Sequence, residues 1–153
     1  MTPRAARLLF ALAAVAAIAA RPARAAATCT ISTVSGVAFG AYDVSSPTPL
    51  DSVGLLRLDC NGAAKTVTVD LSRGNGPAYD SRFMRNGTAQ LNYNLFIDAA
   101  RTTIWGDGTG GTLHFGVFNP PNVIDLTIYG RIPALQDLPI GAYTDTIVVT
   151  TNF

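Results

Sequence analysis

Thr144-Asp145-Thr146-Ile147-Val148-Val149-Thr150-Thr151-Asn152-Phe153 closes the sequence, and its β-branched run ending on an aromatic reads as a strand. With Tyr143 in front, alternation puts Tyr143, Ile147, Val149 and Phe153 on one face. A strand at a sheet edge is ordinarily paired, covered or charged. This one is apolar and has no partner encoded after it. That predicts an open edge, able to take a strand from another chain.

The segments upstream keep the same period. Val, Ile and Thr dominate them, and Gly, Asn, Pro and Asp interrupt at short intervals, the spacing of an all-β sandwich. The first strand opens at Cys29 and runs toward Val37 and Phe39. Residues 55–60 put Leu56, Leu58 and Cys60 on one face and Arg57 and Asp59 on the other. Residues 66–72 turn Val67, Val69 and Leu71 inward, and Asn61-Gly62 between the two runs is a hairpin-type turn signal. Leu91, Tyr93, Leu95 and Ile97 share a face in 91–98, as do Ile124, Leu126 and Ile128 in 123–132. Loops are marked by Gly74, Gly76 and Pro77, by Asn86-Gly87, and by the glycine-rich run 106–111. Six main strands predict an immunoglobulin-like sandwich lacking its last strand, as one domain over residues 28–153.

Residues 1–27 are expected to be removed. Arg4 and Arg7 precede an apolar stretch of 13 residues from Leu8 to Ala20, shorter than the roughly 20 that span a bilayer. Ala23-Arg24-Ala25 or Ala25-Ala26-Ala27 fits a signal-peptide cleavage site. Four of the 11 Lys and Arg leave with that segment, so seven face ten Asp and the mature chain carries a net charge of −3. Lys65 is the single lysine. An acidic surface of this kind argues against nucleic acid as a partner, and no further apolar run is long enough for membrane insertion. Cys29 and Cys60 are the two cysteines of an exported chain. As an even pair they predict one disulfide, worth about 2–4 kcal/mol.

Enzymatic and metal chemistry find little support. His114 is the only histidine, and no Gly-x-Ser-x-Gly elbow exists for it to serve. Two distant cysteines and one histidine are too few for a metal site. The run Trp105-Gly106-Asp107-Gly108-Thr109-Gly110-Gly111 lacks the Gly-Lys-Ser/Thr ending of a phosphate cradle. We therefore expect no catalytic residue, metal or cofactor. Tyr79, Phe83, Trp105, Phe115 and Phe118 have two readings: an apolar surface for contacts, or side chains that complete the core.

Eight motifs then follow one another: Phe39-Gly40-Ala41-Tyr42, Cys60, Leu71-Ser72-Arg73-Gly74, Arg82-Phe83-Met84, Leu91-Asn92-Tyr93-Asn94-Leu95-Phe96, Trp105-Gly106-Asp107-Gly108, Tyr129-Gly130-Arg131-Ile132-Pro133 and Gly141-Ala142-Tyr143-Thr144-Asp145-Thr146. The series resembles the spore coat protein U domain family, which includes the Csu-type pilins of archaic chaperone–usher systems, over essentially all of residues 28–153. The resemblance implies a structural or adhesive subunit of a pilus or surface coat. It is exported to the periplasm, held there by a chaperone that lends a β-strand, and passed to an usher. A neighbouring subunit's N-terminal extension then replaces the lent strand, and the fibre reaches the cell surface, where such fibres serve adhesion and biofilm. Ile31, Val37, Ile147, Val149 and Phe153 are the expected lining of the strand-accepting groove.

Polymerising pilins of this type carry a donor segment before the first cysteine. Here Cys29 follows the expected cleavage site by one to three residues, where a donor strand needs roughly 10. The expectation is a tip or capping subunit that accepts a strand without donating one. The competing reading is a self-contained secreted coat protein that binds surfaces or glycans.

Overall fold

A computed structural model describes residues 28–61, 66–118 and 121–153; the expected signal segment lies outside them. Among the described residues nine strands form in order: β1 Thr28–Ser35, β2 Leu50–Asn61, β3 Thr66–Leu71, β4 Phe83–Asn86, β5 Ala89–Asn92, β6 Asn94–Phe96, β7 Phe115–Phe118, β8 Val123–Ile132 and β9 Val149–Asn152. One sheet has the order β1-β2-β8-β6, the second β7-β3-β9, and β4-β5 is a separate hairpin. The only helix among the described residues is a single 3₁₀ turn, Tyr79–Ser81, and none is long and apolar enough to cross a membrane.

Alternation builds the core. On β2, Leu56, Leu58 and Cys60 are buried, and on β8 so are Ile124, Leu126 and Ile128. The strands run antiparallel with Leu56 opposite Leu126 and Leu58 opposite Ile124, so the buried residues meet as cross-strand pairs. Val67, Val69 and Leu71 on β3 close the sandwich from the other sheet, with Leu91, Tyr93, Leu95 and Trp105 between. The outward positions carry the bidentate pairs Arg57–Asp125 and Arg131–Asp51, placed opposite each other by the same register.

The structure departs from expectation in two strands and one turn signal; the expected terminal strand 143–153 is regular only over β9, Val149–Asn152. The run 91–98 is broken at Tyr93 into β5 and β6, which pair with β4 and β8 respectively. Gly62 of the Asn61-Gly62 turn signal lies outside the described residues; β2 is bordered by β1 and β8, and β3 belongs to the second sheet. Asn86-Gly87 does make a tight hairpin. Asn86 pairs with Ala89, and Gly87 takes the left-handed φ of 58° that such a turn requires.

Cys29 and Cys60 are directly opposite in the β1–β2 ladder and form a disulfide that joins the two strands. Exchanging both for serine is expected to cost about 2–4 kcal/mol, read as a lower urea midpoint with a slope at least as steep, since the released unfolded chain exposes more surface. An unchanged midpoint would show that the bond leaves the unfolded chain unrestrained.

Candidate functional site

The chain leaves β1 at Ser35 and crosses the inner face of the first sheet. The crossing depends on two glycines at inward positions. A Cβ on Gly54 would lie 2.6 Å from the Ser35 carbonyl oxygen, and one on Gly130 would lie 2.6 Å from Cγ1 of Val37. In place of large side chains there, Val37 and Phe39 pack onto the core. The crossing is also tied down by Ser52, which donates to the Ala38 carbonyl at 2.6 Å. Tyr42 donates to the Pro133 carbonyl at 2.8 Å.

Opposite it runs 143–149. Tyr143, Asp145, Ile147 and Val149 turn inward and half-bury, while Thr144, Thr146 and Val148 are exposed. Thr144 bonds to Arg85 in both directions, and the Val148 carbonyl accepts the Ser72 N–H at 2.9 Å. Antiparallel alternation then points the backbone groups of Ile147, Val149 and Thr151 the other way. Within the second sheet β9 is an edge, bonded to β3 alone.

Between these two segments lies a cleft of about 300 Å³. Its walls are Val34, Val37 and Phe39 on one side and Tyr143, Ile147 and Val149 on the other, and Leu71, Leu95 and Ile128 are among the residues that floor it. It continues past Phe39 and Tyr143 into a hollow of about 480 Å³ beside Tyr42, Leu138 and Ile140. Ile140 and Leu135 stand fully or largely in solvent at that end.

One end of the cleft is polar. Tyr93 donates its hydroxyl to Oδ2 of Asp145 at 2.7 Å, and burial, reinforced by that bond, pushes the Tyr93 hydroxyl far above its ordinary range. Oδ1 of Asp145 accepts the N–H groups of Asn75 and Thr146 at 2.9 and 2.7 Å. Gly74, at φ 60°, leaves room for this carboxylate, since a Cβ there would overlap it. Behind Tyr93 lies Arg82, with no exposed surface. Its guanidinium donates to the Ser72 carbonyl from two nitrogens (3.1 and 2.8 Å), to the Trp105 carbonyl (2.7 Å) and to Oδ1 of Asn94 (2.8 Å). Burial pulls its pKa below the usual arginine value.

Of the residues expected to line a groove, Val37, Ile147 and Val149 line this cleft. Ile31 on β1 and Phe153 are exposed, at 38% and 55%, and lie outside it; a bulge between Ile31 and Thr33 shifts the β1 register just before the crossing. Among the candidate contact aromatics, Phe83 and Trp105 are core residues rather than surface. The indole N–H of Trp105 reaches the Val69 carbonyl at 2.8 Å, which lets the ring be buried without an orphaned donor. Phe115 is half-buried against Trp105, with ring centroids 6.1 Å apart. Tyr79 lies half-buried over Arg82, and the Phe118 side chain lies outside the described residues. Arg82, Asp145, Gly54 and Gly130 carry no mark as site residues in the sequence, although all but Gly54 lie in the motifs quoted above.

Two loop carboxylates are held well below the ordinary aspartate range. Backbone N–H donation from Thr102, then from Thr103, holds the Asp98 carboxyl at about 2. The Thr109 hydroxyl, then its N–H, does the same for Asp107. Both lie below the ordinary 3.8, so each contributes stability that is complete above pH 4 and lost as pH falls toward 2. An acid titration followed by near-UV circular dichroism should show an unchanged fold down to about pH 4 and loss below it. Loss beginning near pH 6 would require another group.

The Spore Coat Protein U domain pattern matches residues 14–150. Protein U of Myxococcus xanthus is 34% identical over 128 residues, which are 75% of this chain and 70% of that protein. Among solved structures, the chain is similar to the CsuC–CsuE chaperone–tip adhesion subunit pre-assembly complex from archaic chaperone-usher Csu pili of Acinetobacter baumannii. There the TM-score is 0.59 with 21% identity over 84% of this chain, and it spans only 40% of the matched chain. The P pilus rod subunit PapA matches with a TM-score of 0.51 and 18% identity, over 81% of this chain and 97% of PapA. These structural likenesses establish a shared fold, the immunoglobulin-like sandwich of pilus subunits.

Proposed function

Because the chain belongs to the spore coat protein U domain family, we propose that it is an exported structural subunit of a chaperone–usher fibre or surface coat, completed by a β-strand from another protein. The observation that carries this is the apolar cleft between residues 34–39 and 143–149, bordered by the unpaired edge of β9. A strand laid there would bond to the backbone of Ile147, Val149 and Thr151 and bury alternate side chains on Leu71, Leu95 and Ile128. The partners are then a periplasmic chaperone, which fills the cleft first, an usher, and a neighbouring subunit that replaces the chaperone strand. Residues 1–27 serve export, and 28–153 form the assembled domain. The role is structural or adhesive rather than catalytic.

The test is thermal unfolding of the exported protein, alone and with a capped synthetic peptide Thr-Val-Thr-Val-Thr-Val-Thr-Val-Thr as surrogate donor. A rise in Tm that saturates with peptide supports the reading. A cooperative, high Tm that the peptide leaves unmoved favours the self-contained coat protein. The tip or capping position is the finer part of the proposal, and N-terminal sequencing of the surface-exposed protein reads it directly. A start between Ala26 and Thr28 supports it, and a start ten or more residues ahead of Cys29 overturns it.

A further inference from the structure

Asp145 is the only charged side chain among the described residues lining either part of the cleft. Among the described residues it makes no ion pair, and its partners there are three neutral donors: the Tyr93 hydroxyl on Oδ2, and two backbone N–H groups on Oδ1. A carboxylate offers about four acceptor positions, so one remains on Oδ2. Arg82 lies behind it, but four of its five N–H donors are committed to Ser72, Trp105 and Asn94, and it forms neither a hydrogen bond nor an ion pair with Asp145. With the cleft open, Asp145 is half-exposed, and water can serve the remaining position. A strand in the cleft displaces that water, and an aliphatic side chain over Asp145 would leave a desolvated carboxylate short of a partner.

We propose that the strand occupying this cleft carries a hydrogen-bond-donating side chain, hydroxyl or cationic, at the one inward position beside Asp145, with apolar side chains at its other inward positions. This rests on the strand-acceptor reading and adds a register to it. The wall presents Tyr143, Asp145, Ile147 and Val149 at alternate positions, so the incoming strand meets it with four inward residues spaced by two. The polar one is second from the end that lies at Tyr143. A one-residue slip would turn every inward side chain outward. A two-residue slip keeps the apolar face inward but moves the donor off Asp145, and Asp145 selects against that slip.

The experiment measures binding of five fluorescein-labelled peptides to the exported protein by anisotropy. One is the alternating Val/Thr nonapeptide, and each of the others has one of its four Val replaced by Lys. The expected result is that a single peptide, with Lys at one of the two central Val positions, binds about tenfold more tightly than the all-Val parent, while the other three bind more weakly. Asp145→Asn should abolish that preference. Tyr93→Phe, which frees Oδ2 and leaves the backbone bonds to Oδ1 in place, should widen it, and it serves as the second probe if Asp145→Asn fails to fold. If the all-Val peptide binds best and Lys weakens binding at all four positions, the inference falls and the acceptor reading stands. Failure of all five to bind removes the acceptor reading and the inference together.

Discussion

Arg82→Met is expected to cost about 4 kcal/mol of folding stability, although methionine fills much of the same volume. The guanidinium holds the carbonyls of Ser72 and Trp105, bridging two segments that the Leu71 N–H to the Gly106 carbonyl also joins, and it orients Asn94 as well. Removing it leaves both buried carbonyls without those donors, at about 1–3 kcal/mol each. Methionine recovers the cost of burying a cation, which is why replacing buried charges by apolar groups is sometimes neutral. Here the partners are neutral carbonyls that stay behind, so the loss outweighs the recovery. Arg82→Lys keeps the charge but not the planar fork, and should fall between the two. Urea unfolding of the three proteins checks the order; a methionine variant within 1 kcal/mol of the parent would show that the carbonyls find water instead.

Arg82 also marks where the sequence stops being readable. The alternation of β2, β3 and β8 was legible because each has one face in the core and one in solvent, so Leu56, Leu58, Val67, Val69, Ile124 and Leu126 could be placed inward without a structure. An arginine in that setting reads as outward, and only the convergence of carbonyls from distant segments makes its burial favourable. Sheet membership was equally hidden. The signal at Asn61-Gly62 suggests a hairpin whatever lies on either side, while the ladders show β2 already paired on both edges. The cleft was half legible. Ile147, Val149 and Val37 follow from the period of the two flanking segments, but the bulge after Ile31 and the way the chain leaves β1 are set by what packs beneath them. Asp145 fell within the run read as the terminal strand, and its placement on the wall of an apolar cleft depends on Gly74 and Tyr93, far off in sequence.

Gly54→Val is expected to reduce stability by about 3 kcal/mol and to remove the response to a donor peptide in the same variant. On the inner face of β2, the positions after Gly54 are Leu56, Leu58 and Cys60, so valine at 54 would extend the hydrophobic pattern and raise strand propensity. A reading of sequence alone makes the change favourable. The structure reverses the sign. The Cβ would press on the Ser35 carbonyl at 2.6 Å and approach the Val37 nitrogen at 3.1 Å, and these are backbone atoms that cannot rotate away. The crossing segment must lift, carrying Val37 and Phe39 off the core and moving one wall of the cleft. Gly130→Val meets only side-chain atoms of Val37 and Phe39 and should cost less. The exposed neighbour change Leu55→Thr should leave both stability and peptide response within about 0.5 kcal/mol of the parent. If Gly54→Val lowers stability yet still gains Tm from the peptide, the wall formed by residues 34–39 is dispensable, and the donor strand is held by the β9 edge alone.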